Sequence, residues 1–174
     1  MSITSLDDFR EKAIIDIAEK MILAAKTAPK GRGIERLHYL LLTGTEILDV
    51  SDKMNAISLK HQVTFFARDA GNLAKTVALV LIGSSIEPRN VPLCKHCGFG
   101  CDKKPETTPC AISQVDLGIA VGSAVSIAGQ FHIDNRIMYS AGIAALELGL
   151  FPENIKIAYG IPLSASEKNI FFDR

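Results

Sequence analysis

No sign of charge predominates in this chain of 174 residues: nineteen lysines and arginines offset nineteen aspartates and glutamates. No stretch gathers a basic stripe of the kind that neutralises phosphates, which argues against nucleic acid as a partner. The opening MSITSLDDFREK lacks a basic segment followed by an apolar run and a small-residue cleavage site, so no secretory leader is read there and a cytoplasmic location is expected. Long hydrophobic runs are missing as well. The most apolar one, Leu117 to Ala128, is broken by Gly118, Gly122, Ser123 and Ser126 and falls short of the ~20 residues a membrane span needs. It reads as a buried helix, and no membrane partner is expected.

Other absences narrow the chemistry. There is no internal repeat, no G-x-S-x-G, no Walker-type phosphate loop and no evident serine, histidine and acid arrangement, so no hydrolase or kinase signature is read. Asp116, Asp134 and Glu147 read as helix caps or exposed positions. His38 falls among leucines as a core histidine, and His61 and His132 have no evident partner.

What remains is one domain of ordinary size, long enough to bury a core. Ser5 followed by Asp8 resembles a capping box, and Phe9, Ala13, Ile14, Ile17, Ala18, Met21, Ala24, Ala25 and Ala28 recur at helical spacing. Pro29, Gly31 and Gly33 stop that helix and leave Lys30 and Arg32 on a loop. His38 to Leu42 predicts a strand, Thr45 to Lys60 a helix, and Asp69, Gly71 and Asn72 punctuate before Val77 to Ile82. The unbroken VALVLI has the composition of a strand buried on both faces. Two further helices are predicted, one from Ser113 through Phe131 and one from an Asp134 cap to Leu148, followed by a strand over Ile155 to Ile161. Gly118, Gly122 and Ser126 give the first of these helices a face with almost no side-chain bulk. Close packing inside the monomer is the preferred reading of that face, and a dimer seam is the alternative.

Cysteine is scarce, and its placement is the strongest signal in the chain. All four cysteines fall in PLCKHCGFGCDKKPETTPC, spaced C-x2-C-x3-C-x8-C, and three of them lie within an irregular stretch from Ile86 to Thr108 that carries three prolines and two glycines. A loop of that length needs something to hold it. A C-x2-C pair lets two thiolates meet one centre, and the next two cysteines can close the remaining corners. Gly98 and Gly100 supply conformational freedom for such a wrap.

Disulfides suit a small secreted chain better than this one. Structural zinc commonly uses two C-x2-C knuckles, whereas only the first pair here has that spacing. Three grouped cysteines and a more distant one preceded by proline, Pro109-Cys110, lie nearer to ferredoxin logic, although the spacing is not the bacterial ferredoxin run. Cys94, Cys97, Cys101 and Cys110 are therefore the expected metal ligands. An iron-sulfur cluster, 4Fe-4S favoured, is preferred over zinc. Full ligation by four thiolates suits electron transfer or a structural centre. His96 inside the motif reads as solvated or supporting, and Lys95, Lys103 and Lys104 as charges that offset the cluster, dock an acidic redox partner protein or simply face solvent.

The segments AAKTAPKGRGIERL, the cysteine run followed by DLGIAVGSA, and SAGIAALELGLFPENIKIAYGIPL with a terminal FFDR resemble an uncharacterised prokaryotic family containing a ferredoxin domain. More distantly they resemble the flavin-dependent nitroreductases. The resemblance spans nearly the whole chain. It implies a nitroreductase-like α+β fold with a small central sheet flanked by helices, the Cys-rich segment being inserted at about residues 90–112. It also implies an intertwined homodimer with FMN between subunits. The loop after the first helix would then contact the flavin, which makes Pro29, Lys30, Gly31, Arg32 and Gly33 candidates, and Arg174 would correspond to a basic residue that touches the flavin phosphate. The arginine-rich phosphate motif that nitroreductases carry ahead of the first long helix is not found here. The expected function is a small redox protein whose iron-sulfur cluster passes electrons. The alternatives are a zinc-stabilised dimer without enzymatic activity and an FMN-dependent oxidoreductase.

Overall fold

The computed structural model describes residues 3–172. Helix α1 (Leu6–Thr27) opens as the sequence predicts: the Ser5 amide and hydroxyl each donate to an Asp8 carboxylate oxygen, at 2.8 Å. It is followed by β1 (Leu37–Thr43), α2 (Thr45–His61), α3 (Thr64–Leu73) and β2 (Ala78–Ser85). The cysteine loop then leads into α4 (Ala111–Gln130), β3 (Asp134–Asn135), α5 (Tyr139–Glu147) and β4 (Ile155–Ser164). The strands form one antiparallel sheet in the order β1-β2-β4-β3, flanked by the five helices.

Strand β2 is buried at every position. Because successive side chains leave opposite faces of a strand, Leu79 and Leu81 enter a core with α2, α3 and α5, while Ala78, Val80 and Ile82 enter a second core with α1 and α4. This is why VALVLI has no polar alternation: neither face of the strand meets water. Each fully buried leucine or isoleucine of this kind contributes about 1.5–3 kcal/mol. Glycine lets α5 lie close on β4, because a Cβ at Gly142 would run into the Ala158 carbonyl.

Three expectations need correction. The segment around Asp69, Gly71 and Asn72 is helical, not a break. Phe66, Asp69, Ala70 and Leu73 share its buried face, and Asp69 accepts hydrogen bonds from Ser140 Oγ at 2.7 Å and from Arg68. Tertiary partners thus satisfy a residue that would otherwise favour a turn. Asp134 caps no helix: it lies in β3 opposite Ser164, and its carboxylate accepts from Asn169 Nδ2 at 2.7 Å, with α5 starting only at Tyr139. The small face of α4 is also not used inside the monomer. Gly118, Gly122 and Ser126 are exposed, and no atom lies within 4 Å of a Cβ placed at either glycine. The inner face of α4 is instead formed by Leu117, Ala120, Val121, Ala124 and Ala128, packed in the core with α1. The full helix has 20 residues, long and apolar enough by composition alone to cross a membrane, although that inner face is occupied by protein.

The contrast between two glycines gives a test. Gly142→Ala loses about 1–3 kcal/mol, because the obstructing atom is backbone and cannot turn aside. Gly71→Ala, on the exposed side of α3 with nothing within 4 Å, gains about 0.5–1 kcal/mol. Urea denaturation midpoints of the two variants should move in opposite directions.

Candidate metal centre

The cysteine loop is pinched shut where it leaves β2 and where it enters α4. The Cys110 amide donates to Ile86 O at 3.2 Å, and Ser113 Oγ donates to Glu87 O at 3.1 Å. Between these anchors the chain makes a series of tight turns: Cys94 N to Val91 O at 3.2 Å, Gly98 N to Lys95 O at 2.8 Å and Lys103 N to Gly100 O at 2.9 Å. Cys97 and Cys101 lie within the second and third of these turns, and Cys94 closes the first. Asn90, Leu93 and Gly98 take positive φ. Gly98 thus has the conformation expected of it, whereas Gly100 does not.

All four thiols are free; Cys94, Cys97 and Cys101 are partly exposed and Cys110 is buried. Cys94 and Cys101 line one shallow cavity of about 370 Å³ together with Asn90, Leu93 and Lys95. Among the described residues no three Cys, His, Asp or Glu side chains converge as a metal site. The ligands fit a thiophilic metal in kind and number, and closing them around one would require the loop to draw inward. Sites of this sort seldom exist preformed without their metal. His96 is exposed, and so are Lys95 and Lys103. The Lys104 ammonium is engaged by the carbonyls of Pro105 and Thr108, so it serves the loop itself.

Cys110 has the most developed environment of the four. It is the N-terminal cap of α4, where the helix dipole favours a thiolate. Burial pushes its thiol up, but hydrogen bonds from the amides of Ser113 and Arg89 and from neighbouring groups outweigh this and leave the thiol below its ordinary value.

Next to it lies a buried ion pair that sequence reasoning missed. The side chains of Arg89 and Asp116 are 1% and 4% exposed, and Arg89 Nη2 stands 2.9 Å from Asp116 Oδ2. The contact is one of charge and not an aligned fork, since neither of these atoms has a hydrogen-bond partner. Asp116 is therefore not the cap or exposed acid that its position suggested. A signal was available: Ser113, Asp116, Leu117, Ala120, Val121, Ala124 and Ala128 fall on one stripe, so a carboxylate sits on the inner face of an apolar helix. Arg89 has no periodic context to betray it. Glu147 remains partly exposed and pairs with Lys53 at 3.2 Å.

The loop after α1 docks on this same pair. Gly31–Gly33 forms a short 3-10 turn with Arg32 and Gly33 at positive φ. The Gly31 amide donates to Asp116 Oδ1 at 2.8 Å, and Arg32 Nη1 donates to the carbonyls of Arg89 and Asn90. Lys30 turns back, and its ammonium donates to the carbonyls of Ala25, Lys26 and Ala28, capping α1 at its negative end. Pro29 is exposed. Arg174 lies outside the described residues. The structure thus joins Gly31 and Arg32 to the root of the cysteine loop, not to an open cleft.

A second polar feature, also missed, is a cavity of about 510 Å³ bordered by Arg68, Lys75, Arg136, Lys168 and Phe171, with no carboxylate among the described residues of its lining. These cations come from three separate stretches of chain, so no basic motif announces them. None of residues 29–33 reaches it.

Comparison with solved structures places the fold. Nitroreductase CinD from Lactococcus lactis, in complex with nicotinic acid, superposes with a TM-score of 0.63 at 15% identity, over 96% of this chain and 82% of that one. A nitroreductase family protein from Clostridium novyi gives 0.60 at 14% identity over 89% and 77%. An oxidoreductase containing FMN gives 0.59 at 13% over 88% and 67%. At such identities the likeness is one of fold, which is nitroreductase-like as the resemblance implied. In sequence, an uncharacterised protein from Archaeoglobus fulgidus is 36% identical over 96% of this chain and 95% of its own length. Residues 106–174 match the family model described as uncharacterised protein containing a ferredoxin domain. The chain belongs to that family of ferredoxin-domain-containing proteins, built on a nitroreductase-like fold.

Proposed function

We propose that this protein is a small redox protein whose cysteine loop holds an iron-sulfur cluster through Cys94, Cys97, Cys101 and Cys110. The observation that carries the reading is that every cysteine of the chain lies in one loop with its thiol free, and the last of them caps a 20-residue helix among amide donors that favour the thiolate. A cluster held by thiolates supplies one-electron transfer. The chain's own contribution is to present the thiols on tight turns, to cap Cys110 with amides and to keep that sulfur out of water. Full use of all four cysteines as ligands leaves no place reserved for substrate, so the role proposed is electron relay.

A flavin is supported by a separate observation, the cavity bordered by Arg68, Lys75, Arg136 and Lys168, whose charges suit a phosphate-bearing cofactor such as FMN. Residues 29–33 stand apart from that cavity within one chain, which agrees with a homodimer in which the loop of one copy meets the cavity of the other. In such a dimer the cluster would be the donor or acceptor for the flavin.

Two measurements test these readings. Anaerobically reconstituted protein should be brown, with iron and acid-labile sulfide bound. Cys110→Ser should lose most of both, while a colourless protein holding one zinc per chain and no sulfide would replace the cluster with a structural metal. For the flavin, titration with FMN should show saturable binding, and Arg136→Gln should weaken it about tenfold, a loss of ~1.4 kcal/mol. Equal affinity in the two proteins would rule out this cavity.

A further inference from the structure

Buried polar side-chain atoms without a partner are concentrated in one place. Among the described residues they belong to Arg36, Ser85, Arg89, Gln114 and Asp116, all at the root of the cysteine loop, where the β1 and β2 ends meet the first turns of α4. Native interiors satisfy nearly all such atoms, so a cluster of exceptions calls for an explanation. The centre of the cluster is the Arg89–Asp116 pair. A buried ion pair is poor evidence for stability, because the desolvation of both charges offsets most of their attraction. This one keeps two guanidinium nitrogens, Nε and Nη2, without hydrogen bonds.

What the pair does have is connections. Arg89 Nη1 donates to Ile34 O at 2.9 Å, and the Arg89 carbonyl accepts from Arg32. Asp116 Oδ1 holds the Gly31 amide, and Ile112, on the first turn of the same helix, lies against Gly31. Cys110 and Asp116 stand six residues apart on one helix, within two turns. Cys110 caps the helix whose first turns carry Ile112 and Asp116, so a change in position at Cys110 is passed along α4, and Arg89 and Asp116 between them grip the loop at Gly31 and Ile34.

We infer that the Arg89–Asp116 pair couples the metal centre to the Lys30–Ile34 loop through the first turns of α4, with Arg89 and Asp116 as positioning residues. The inference rests on the reading that the four cysteines hold a metal; it does not depend on which metal. Metal binding fixes the Cys110 thiolate and the first turns of α4. Asp116, carried on those turns and held by Arg89, tightens on the Gly31 amide. Linkage makes the effect reciprocal: whatever frees Gly31 from Asp116 weakens metal binding by the same factor by which metal tightens the loop.

The test uses the full chain with Zn²⁺ or Co²⁺ as probe, so that it does not depend on cluster assembly. Amide hydrogen exchange is read at residues 31–34 with and without metal, and metal affinity is read against a competing chelator. In the wild type, loading should slow exchange about tenfold, within the usual range of coupling between sites. Arg89→Gln with Asp116→Asn, which removes both charges together and leaves neither stranded, should abolish the slowing and weaken metal binding by about the same factor.

Gly31→Ala is the second variant, needed if the doubly substituted chain does not fold. A Cβ there would stand 2.7 Å from Ile112 Cγ2 and push the loop away from α4, while the buried pair stays intact. It should also weaken metal binding about tenfold with its circular dichroism unchanged. Persistence of the slowing in the folded double variant, or unchanged affinity in Gly31→Ala, overturns the inference. A wild type that binds metal without any slowing overturns the inference alone. A wild type that takes up no metal overturns the metal reading as well.

Discussion

Strand β2 must be apolar on both faces, because helices cover it from both sides. Its odd positions, Leu79 and Leu81, belong to the core with α2, α3 and α5, and its even positions, Ala78, Val80 and Ile82, to the core with α1 and α4. It also pairs with β1 on one side and β4 on the other, so its backbone is satisfied along both edges. The two cores meet only through the sheet, of which β2 is the one strand buried throughout. The end of this strand is correspondingly rigid, and there the chain departs into the cysteine loop.

At that departure the interior turns from apolar to polar. Ser84 and Ser85 are buried, Arg89 follows, and Asp116 reaches in from α4 to meet it. The loop therefore springs from a charged anchor embedded between the sheet end and the helix start. Its outer part has few partners beyond its own turns, a pattern suited to a segment that closes around a ligand while its root stays fixed. Gly31, which lies against Ile112 and Asp116, and Arg32, which donates to the Arg89 carbonyl, tie the loop after α1 to the same anchor. Two stretches that resemblance assigns to different cofactors are thus parts of one piece of structure.

The basic cavity lies elsewhere, between α3, the segment after β3 and the chain beyond β4. Its cations come from three separate stretches of chain and gather because α3 packs beside α5 while the C-terminal segment is tied to Asp134 and Arg136. With the nitroreductase-like fold as frame, the thiol-bearing loop and this cavity are distinct regions of the monomer.

The composition of VALVLI, the Ser5 and Asp8 cap, the stop at Pro29 and the gathering of all four cysteines were legible without coordinates, because each rests on local chemistry: propensity, capping, ring constraint and ligand type. α3 was not legible, since Asp69 and Gly71 favour turns locally and are held in a helix by Ser140 and by packing from α2 and α5. The exposed face of Gly118, Gly122 and Ser126 was misjudged for a related reason: small residues permit close approach but do not say whether a neighbour is present. By itself the sequence determined the secondary structure of its strongly periodic segments and the gathering of four thiols in one loop. Only the tertiary structure decided that Arg89 and Asp116 meet, that Gly31 hangs from their pair and that cations from three separate stretches of chain share a cavity. Those contacts join residues far apart in the chain, and their free energy depends on burial that no local pattern encodes.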